Sequence, residues 1–434
     1  MRDIYAHAEC NIAATSAKDS GAGLFFEREP LALQPFKIEI SNSANRLFRS
    51  HRTHAYMCEY DNEDVNSQVH RQPLNTHAWV VQEAYLSPRI MHFTKSYLYW
   101  QCSESFVSER DQDEVPTIPA WRHRRADPRR LRSTIQPLCR NRLSERPIAS
   151  ESLPLTYTPE ERETVYLAWC DFREEYTRRK LSQEEDRIVA LLGIAEDTAE
   201  FFKSAFEEPY ELRKVFVACL WKNYIIRELC WEHRYLSRLH APPPAPLLPR
   251  APTWSWASTN HIITSAHNVF GGLSHEYQSL AEVMDIQVDY QPNWVCSGSI
   301  RLKTRPMPVD FYPPDIDRQD NLRRSFVIDA KDDTRFESII TLDSPMPHKS
   351  KQTFMIVLLQ RYRWLKTSQR SDDDWYYEGI GVAPSSTQTG TFERVGHFEC
   401  YSSGPVSSKT PEQKFWHLCH KRREEFESRI ITIV

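Results

Sequence analysis

Trp79 and Glu83 stand four residues apart in a run of good helix formers, inside LNTHAWVVQEAYLSPRIMHFTKSYLYWQC (Leu74 to Cys102). That spacing puts an indole and a carboxylate on one helix face, where they can share one pocket wall. Such a pair is a plausible piece of an active site and equally a plausible piece of core. Gln82 and Arg89 are the next polar residues of interest. Arg89 can hold a phosphate, or pair with Glu83 or another acid, and pairing inside the fold is the favoured reading because buried charges are partnered. The IMHF and SYLYW runs that follow carry aromatic and β-branched residues and read as strands or buried edges. A helix followed by a strand must therefore position the pair.

Other groupings carry less. His51, His54 and Cys58, then His7 and Cys10, then His417, Cys419 and His420, each lack a second half at zinc-site spacing, so no metal site is assigned. The arginine run from Arg122 to Arg132 follows an acidic cluster, ERDQDE, that can neutralise it, and reads as a solvated charge run. No Gly-rich phosphate loop, G-x-S-x-G elbow or H-E-x-x-H occurs in the sequence, which sets those enzyme classes aside.

The composition fits a protein with an ordinary core. Of 434 residues, 40% are hydrophobic, and the mean hydropathy is -0.61. This length predicts two or three structural units. Twelve tryptophans, with 11 glycines against 28 prolines, predict aromatic-rich packing. A net charge of -4 argues against a nucleic-acid-binding surface. No apolar run approaches the roughly 20 residues that span a bilayer, and MRDIYAHAEC lacks a secretory apolar stretch. The ten scattered cysteines suit reduced thiols in a cytosolic protein. The expected location is cytoplasmic.

Along the chain, residues 1–105 read as an α/β-like piece, with a short helix running into a buried strand over Met1 to Ala14. Residues 25–72 read as an irregular insertion, and 106–157 as a linker or surface-wrapping segment. Residues 158–240 read as helical. Ser182 to Glu185 has the form of a capping box, and Leu212, Val215, Phe216, Cys219 and Leu220 give a second long helix its buried stripe. The proline-rich 241–252 is a boundary. Residues 253–434 read as β-rich, opening on PTWSWAS, where Trp254 and Trp256 alternate across a strand. Strands are predicted from Met284, Val295, Phe326, Ser338, Phe354, Tyr376, Phe392 and Ile430, with an amphipathic helix over Pro411 to Glu427. A sandwich is favoured over a closed barrel.

The pattern Leu74, Trp79, Gln82-Glu83, Leu86-Ser87, Arg89 and then Trp100 and Cys102 resembles the second half of the fungal heterokaryon-incompatibility (HET) domain. The opening resembles that domain's middle block through Ile4-Tyr5, Ala8, Ile12-Ala13-Ala14, Asp19-Ser20 and Gly23-Leu24. Asp186 with ALLGIA, Leu220-Trp221, PTWSWA and Arg394-Val395-Gly396 resemble blocks in the long C-terminal regions of such proteins. Two departures stand out. His77 and Ala78 occupy the places of the family's usual arginine and glycine. The family's first strand and its aspartate-cysteine-isoleucine-asparagine-glutamine block have no counterpart, so the resemblance implies an N-terminally truncated domain.

HET domains resemble TIR domains remotely, and enzymatic TIR domains carry a glutamate four residues after a tryptophan in the helix lining the pocket where NAD is cleaved. By that resemblance Glu83 is the catalytic carboxylate, stabilising an oxocarbenium-like ribose, with Trp79 as supporting wall and Gln82 and Arg89 as binding residues. NAD is then substrate, and no resident cofactor is implied. Orientation supplies roughly 7–11 kcal/mol of such a barrier, so a domain without its nucleotide-cradling half retains little activity. The expected fold class is α+β in several parts: a partial, TIR-like α/β HET remnant, a helical middle and a β-rich C-terminal region. The resemblance implies an effector of fungal non-self recognition and programmed cell death, with protein partners, no nucleic acid and no membrane span. The alternatives are a non-catalytic interaction protein and a TIR-like NAD glycohydrolase using Glu83.

Overall fold

The structure, a computed structural model, describes residues 2–28, 36–40, 53–57, 66–103, 105–109, 129–144, 157–202, 211–233, 246, 249–265, 275–312, 325–328, 335–343, 352–364, 375–402 and 426–434. The chain divides into two compact units, Met1–Ser133 and Thr134–Val434. Both mix helix and strand, and the C-terminal region is β-rich, as the sequence pattern predicts.

The first unit opens with α1 (Arg2–Ala6) and β1 (Asn11–Ala13). A hairpin follows, β2 (Phe36–Ile40) against β3 (Thr53–Met57), inside the stretch expected to be irregular. Next come α2 (Ala78–Leu86), β4 (Ile90–Phe93), β5 (Leu98–Gln101) and β6 (Phe106–Ser108). The sheet runs β1-β4-β5-β6. β1 and β4 are parallel and are joined through α2, while the other pairs are antiparallel. This is a β-α-β crossover, so α2 runs opposite to the two strands it joins. Ala84 of α2 packs with Ala13, Ile90 and Leu74 in a small apolar cluster, which identifies the covered face of the sheet.

Strand alternation puts Ile12, Met91, Trp100 and Val107 on the other face. The cross-strand register aligns them one after another over all four strands. Ile12 is 62% exposed, so β1 is not the buried strand its sequence suggests. Phe93 lies on this face too, with Phe25 edge-on at 5.7 Å. The stretch read as a linker contains a helix, α3 (Arg129–Ser144). Its Arg132 Nη1 donates to the carbonyls of Tyr85 (2.7 Å) and Ser87 (2.6 Å). A member of the supposed solvated arginine run thus satisfies orphan carbonyls at the end of α2.

The second unit begins with α4 (Pro159–Thr177) and α5 (Asp186–Ala199). The capping box is not at Ser182, for Glu185 precedes α5 without a side-chain cap. It sits on α4 instead, where Thr158 and Glu161 satisfy each other's backbone N–H groups. The second long helix is absent as well. Its apolar stripe is split into α6 (Leu212–Val215), β7 (Phe216–Val217) and β8 (Leu220–Trp221), followed by α7 (Ile225–Glu228), β9 (Trp231–His233) and β10 (Ile263–Ser265). Between β7 and β8 the chain turns through Ala218 (φ 46°) and Cys219 (φ 68°), a left-handed conformation that costs non-glycine residues.

The TWSW segment holds that turn. Ser255 Oγ donates to the Ala218 carbonyl (2.6 Å) and Trp256 Nε1 to the Cys219 carbonyl (2.9 Å). Trp254 and Trp256 do not alternate across a strand, because Trp256–Ser258 is a 3-10 turn; both rings are fully buried. Trp169, Phe202, Phe216 and Trp221 complete an aromatic core with centroid separations of 4.5–5.5 Å.

The rest is β11 (His275–Ser279), β12 (Glu282–Tyr290), β13 (Cys296–Thr304), β14 (Met307–Tyr312), β15 (Ser325–Ile328), β16 (Arg335–Leu342), β17 (Gln352–Trp364), β18 (Trp375–Pro384), β19 (Phe392–Ser402) and β20 (Arg429–Ile433). The predicted strands are all present. Their pairing overturns the sandwich: β14, β15, β16, β19, β18 and β17 pair in turn, and β17 returns to β14. That ring is a closed antiparallel barrel. β11 extends β17, and β20, β13 and β12 extend the sheet from β19.

Met307, Val309, Phe354, Ile356, Leu358, Tyr377 and Phe398 form one cluster with Leu342 and Val395, drawn from strands around the ring. At Gly379 a Cβ would lie 2.1 Å from the Val357 carbonyl oxygen, so only glycine lets β17 and β18 approach this closely. Arg394 of β19 anchors the barrel to β9. It stacks on Trp231 at 3.3 Å, pairs with Asp343 at 2.6 Å and donates to the Trp231 carbonyl. Of the helix expected over Pro411 to Glu427, all but Phe426 and Glu427 lies outside the described residues, as do most of the proline-rich 241–252 and His51, Cys58, His417, Cys419 and His420.

Candidate functional site

Glu83 is the sixth of the nine residues of α2, so it sits toward the end of the helix that leads into β4. The crossover carries that end to the edge of the sheet where β1 and β4 begin. Tyr5, on α1 just before β1, meets it there and hydrogen-bonds the Glu83 carboxylate. Burial raises the Glu83 carboxyl above its usual range, and the Tyr5 bond offsets part of that rise. Burial and the neighbouring carboxylate together push the Tyr5 hydroxyl up to about 12. Trp79 lies one turn earlier on the same side of α2 and is half-buried.

Arg89 pairs with Glu9 and not with Glu83. It precedes β4 and is exposed, and its Nη1 reaches the Glu9 carbonyl (3.3 Å) and the Glu9 carboxylate (3.4 Å). Gln82 is buried, and its Oε1 has no hydrogen-bond partner among the described residues. The four residues singled out in the sequence therefore share one segment but not one cavity wall. Two ends of the sheet are chemically distinct, and open α/β sheets bind ligands beyond the carboxyl ends of their strands. Glu83, Tyr5, Glu9 and Arg89 gather at the opposite end.

A different group runs from Thr15, just past the carboxyl end of β1, through His92 of β4 to Gln101, which pairs with Ile90 at the start of β4. Thr15 Oγ1 lies 3.1 Å from His92 Nδ1, and His92 Nε2 lies 3.1 Å from Gln101 Oε1; all three side chains are buried. With the ring protonated on Nε2, that N–H donates to Gln101 Oε1, and the threonine hydroxyl is shared between Nδ1 and the Ala13 carbonyl at 3.3 Å. Ser16 Oγ donates to Gln72 Oε1 (2.8 Å) and accepts from the Lys95 N–H (3.2 Å). Arg28 pairs with Glu109 beside the Thr94 carbonyl. Thr15, His92 and Gln101 are not among the residues the sequence singles out, and Tyr5 enters there only through the family resemblance. The available signals were the Thr15-Ser16 pair closing an apolar strand, and a histidine in the middle of IMHF.

Among the described residues no group of three His, Cys, Asp or Glu side chains could hold a metal ion. No described helix is long and apolar enough to cross a membrane. Residues 1–83 match the family model described as heterokaryon incompatibility protein (HET). The match ends at Glu83, so it takes in α1, β1 and Trp79 but stops short of β4. No curated protein and no solved structure matches the chain.

Proposed function

We propose, with the HET match over residues 1–83 as the premise, that this chain is a fungal heterokaryon-incompatibility protein whose HET segment acts by assembling with a protein partner in the cytoplasm. The segment boundaries near 105, 157, 240 and 252 belong to the same reading. The observation that carries it is the row Ile12, Met91, Trp100 and Val107, aligned across four strands, with Ile12 exposed and the other three half-buried. A parallel pair joined by a β-α-β crossover is normally covered on both faces, and here β1 of that pair leaves Ile12 exposed. Covering such a row removes apolar surface from water, at roughly 25 cal/mol per Å². The role is effector by association, in non-self recognition that ends in cell death.

The catalytic reading is the second one. The half-buried Glu83, with its raised carboxyl pKa and a tyrosine partner, favours it, since perturbed acids cluster at functional sites. Its place where the strands begin, and the engagement of Arg89 with Glu9, favour assembly instead.

Expression of the full chain in a filamentous fungus separates the two, with growth arrest and cellular NAD as readouts. Assembly predicts that Ile12→Asp with Met91→Asp abolishes the arrest, that Glu83→Gln preserves it, and that NAD stays level. Loss of the arrest in Glu83→Gln, together with a fall in NAD that needs Glu83, would overturn assembly in favour of NAD cleavage. Circular dichroism of each purified variant checks that folding is unchanged.

A further inference from the structure

Arg187, in the first turn of α5, is 5% exposed. Its Nη2 donates to the His261 carbonyl at 3.2 Å, and its buried Nε has no acceptor among the described residues. No carboxylate among the described residues pairs with it, unlike Arg173, whose Nη1 lies 3.1 Å from both Glu228 oxygens. Arg250 lies close by and is equally buried. It donates to the carbonyls of Ala257 and Thr259, each at 2.7 Å, and to Asn260 Oδ1 at 2.5 Å. Its nearest carboxylate is Glu184, 3.7 Å from Nη1 and 39% exposed. Asn260 Nδ2 reaches the same carboxylate at 3.3 Å.

Among the described residues the half-exposed Glu184 is the one carboxylate within ion-pair reach of either guanidinium, and that contact is with Arg250. Burying a cation without a counter-charge is strongly unfavourable. The neighbouring groups report the same positive field. Burial and then Arg187 lower Arg250 to about 10, and the same two causes lower the His261 ring to about 4. Burial lowers Arg187 too, with Tyr176, Cys219 and Glu184 opposing that shift. The His233 ring stacked on His261 at 3.9 Å, itself lowered by burial and then by His261 and Arg394, adds no negative charge.

We propose that Arg187, Arg250 and Asn260 form an anion site for one phosphoryl group, free as inorganic phosphate or carried by a small phosphomonoester. A guanidinium edge matches two phosphoryl oxygens, and a dianion neutralises both arginines. The anion displaces the Glu184 carboxylate from Arg250 and Asn260 into the solvent it already half faces. Glu184 is then a built-in competitor that sets the affinity. The site lies outside residues 1–83 and does not depend on how the HET segment acts.

The test titrates the full chain with sodium phosphate, with glycerol phosphate and with sodium chloride at matched ionic strength, read by calorimetry and by the thermal unfolding midpoint. Saturable heat and a raised midpoint are expected with phosphate and not with chloride. Saturation by inorganic phosphate alone, or by glycerol phosphate at lower concentration, supports the site and identifies the source. Glu184→Gln, at a half-exposed position that tolerates the change, is expected to lower the half-saturating concentration about tenfold, the effect of removing one near-surface charge contact. Arg187→Met is expected to abolish binding. Absence of phosphate-specific heat in both the natural chain and Glu184→Gln overturns the proposal, as does undiminished binding by a folded Arg187→Met.

Discussion

The two units solve the same problem, what to do with the faces of a sheet, in opposite ways. In the second unit the sheet curls until β17 meets β14 and its inner cluster is sealed, while the β9 side is closed by Trp231 and Arg394. In the first unit a short helix covers one face and the other keeps Ile12, Met91 and Trp100 in contact with solvent. Five tryptophans of the second unit are fully buried, whereas the first unit's apolar cluster is built around two alanines and an isoleucine. Closure supplies stability without outside help. On the proposed reading, the open face is apolar area available to a partner.

The contrast is easiest to break through buried charge. Glu228→Ala removes the buried carboxylate that pairs with the Arg173 guanidinium, and is expected to cost about 4 kcal/mol in urea unfolding of the second unit, read by peptide-resolved hydrogen exchange. Protection in the first unit should stay where it was, and an equal loss in both would show that the units are not independent in stability.

Glu378 offers a smaller effect with a defined pH window. Burial raises its carboxyl to about 7, so its contribution is intact below about 4.5, where it is protonated folded or unfolded, and is lost as pH rises through about 7. Glu378→Gln removes that loss. Unfolding at pH 8 should become more stable by roughly 2 kcal/mol, with no gain at pH 4. A gain independent of pH would mean that packing, not ionisation, is responsible.

Trp256→Phe keeps most of the buried ring but removes the indole donor to Cys219, at a cost of about 1–2 kcal/mol. Because the turn it holds contains two left-handed residues, exchange at Ala218 and Cys219 should accelerate most. Arg89→Ala sharpens the other side of the comparison. Its pair with Glu9 is exposed and loose, so the change in stability should stay under about 0.5 kcal/mol. A larger loss would show that Arg89 has a structural role beyond that pair.

The strands of the C-terminal region were legible because each alternates or runs apolar between Gly, Pro and Asp turns. Their closure was not, because the register that joins β14 to β17 brings together residues some 45 positions apart with no local signature. The apolar stripe at Leu212 to Leu220 has helical spacing, yet Ser255 and Trp256, distant in sequence, bind the carbonyls of Ala218 and Cys219 and fix a turn there. The Trp79/Glu83 helix was legible from its composition and its spacing. Its partner was not, since Tyr5 reaches Glu83 across 78 residues.

What the amino-acid order determined by itself was local: a helix carrying Trp79 and Glu83, a Trp-rich core, a β-rich C-terminal half, and the blocks that resemble HET proteins. These follow from period, propensity and turn chemistry, which act over a few residues. The tertiary structure alone decided which end of the sheet Glu83 occupies, that Arg89 turns to Glu9, that the barrel closes, and that Arg187 is buried beside a second arginine. Those outcomes depend on pairings between distant segments, where the gain from packing outweighs whatever each segment prefers alone.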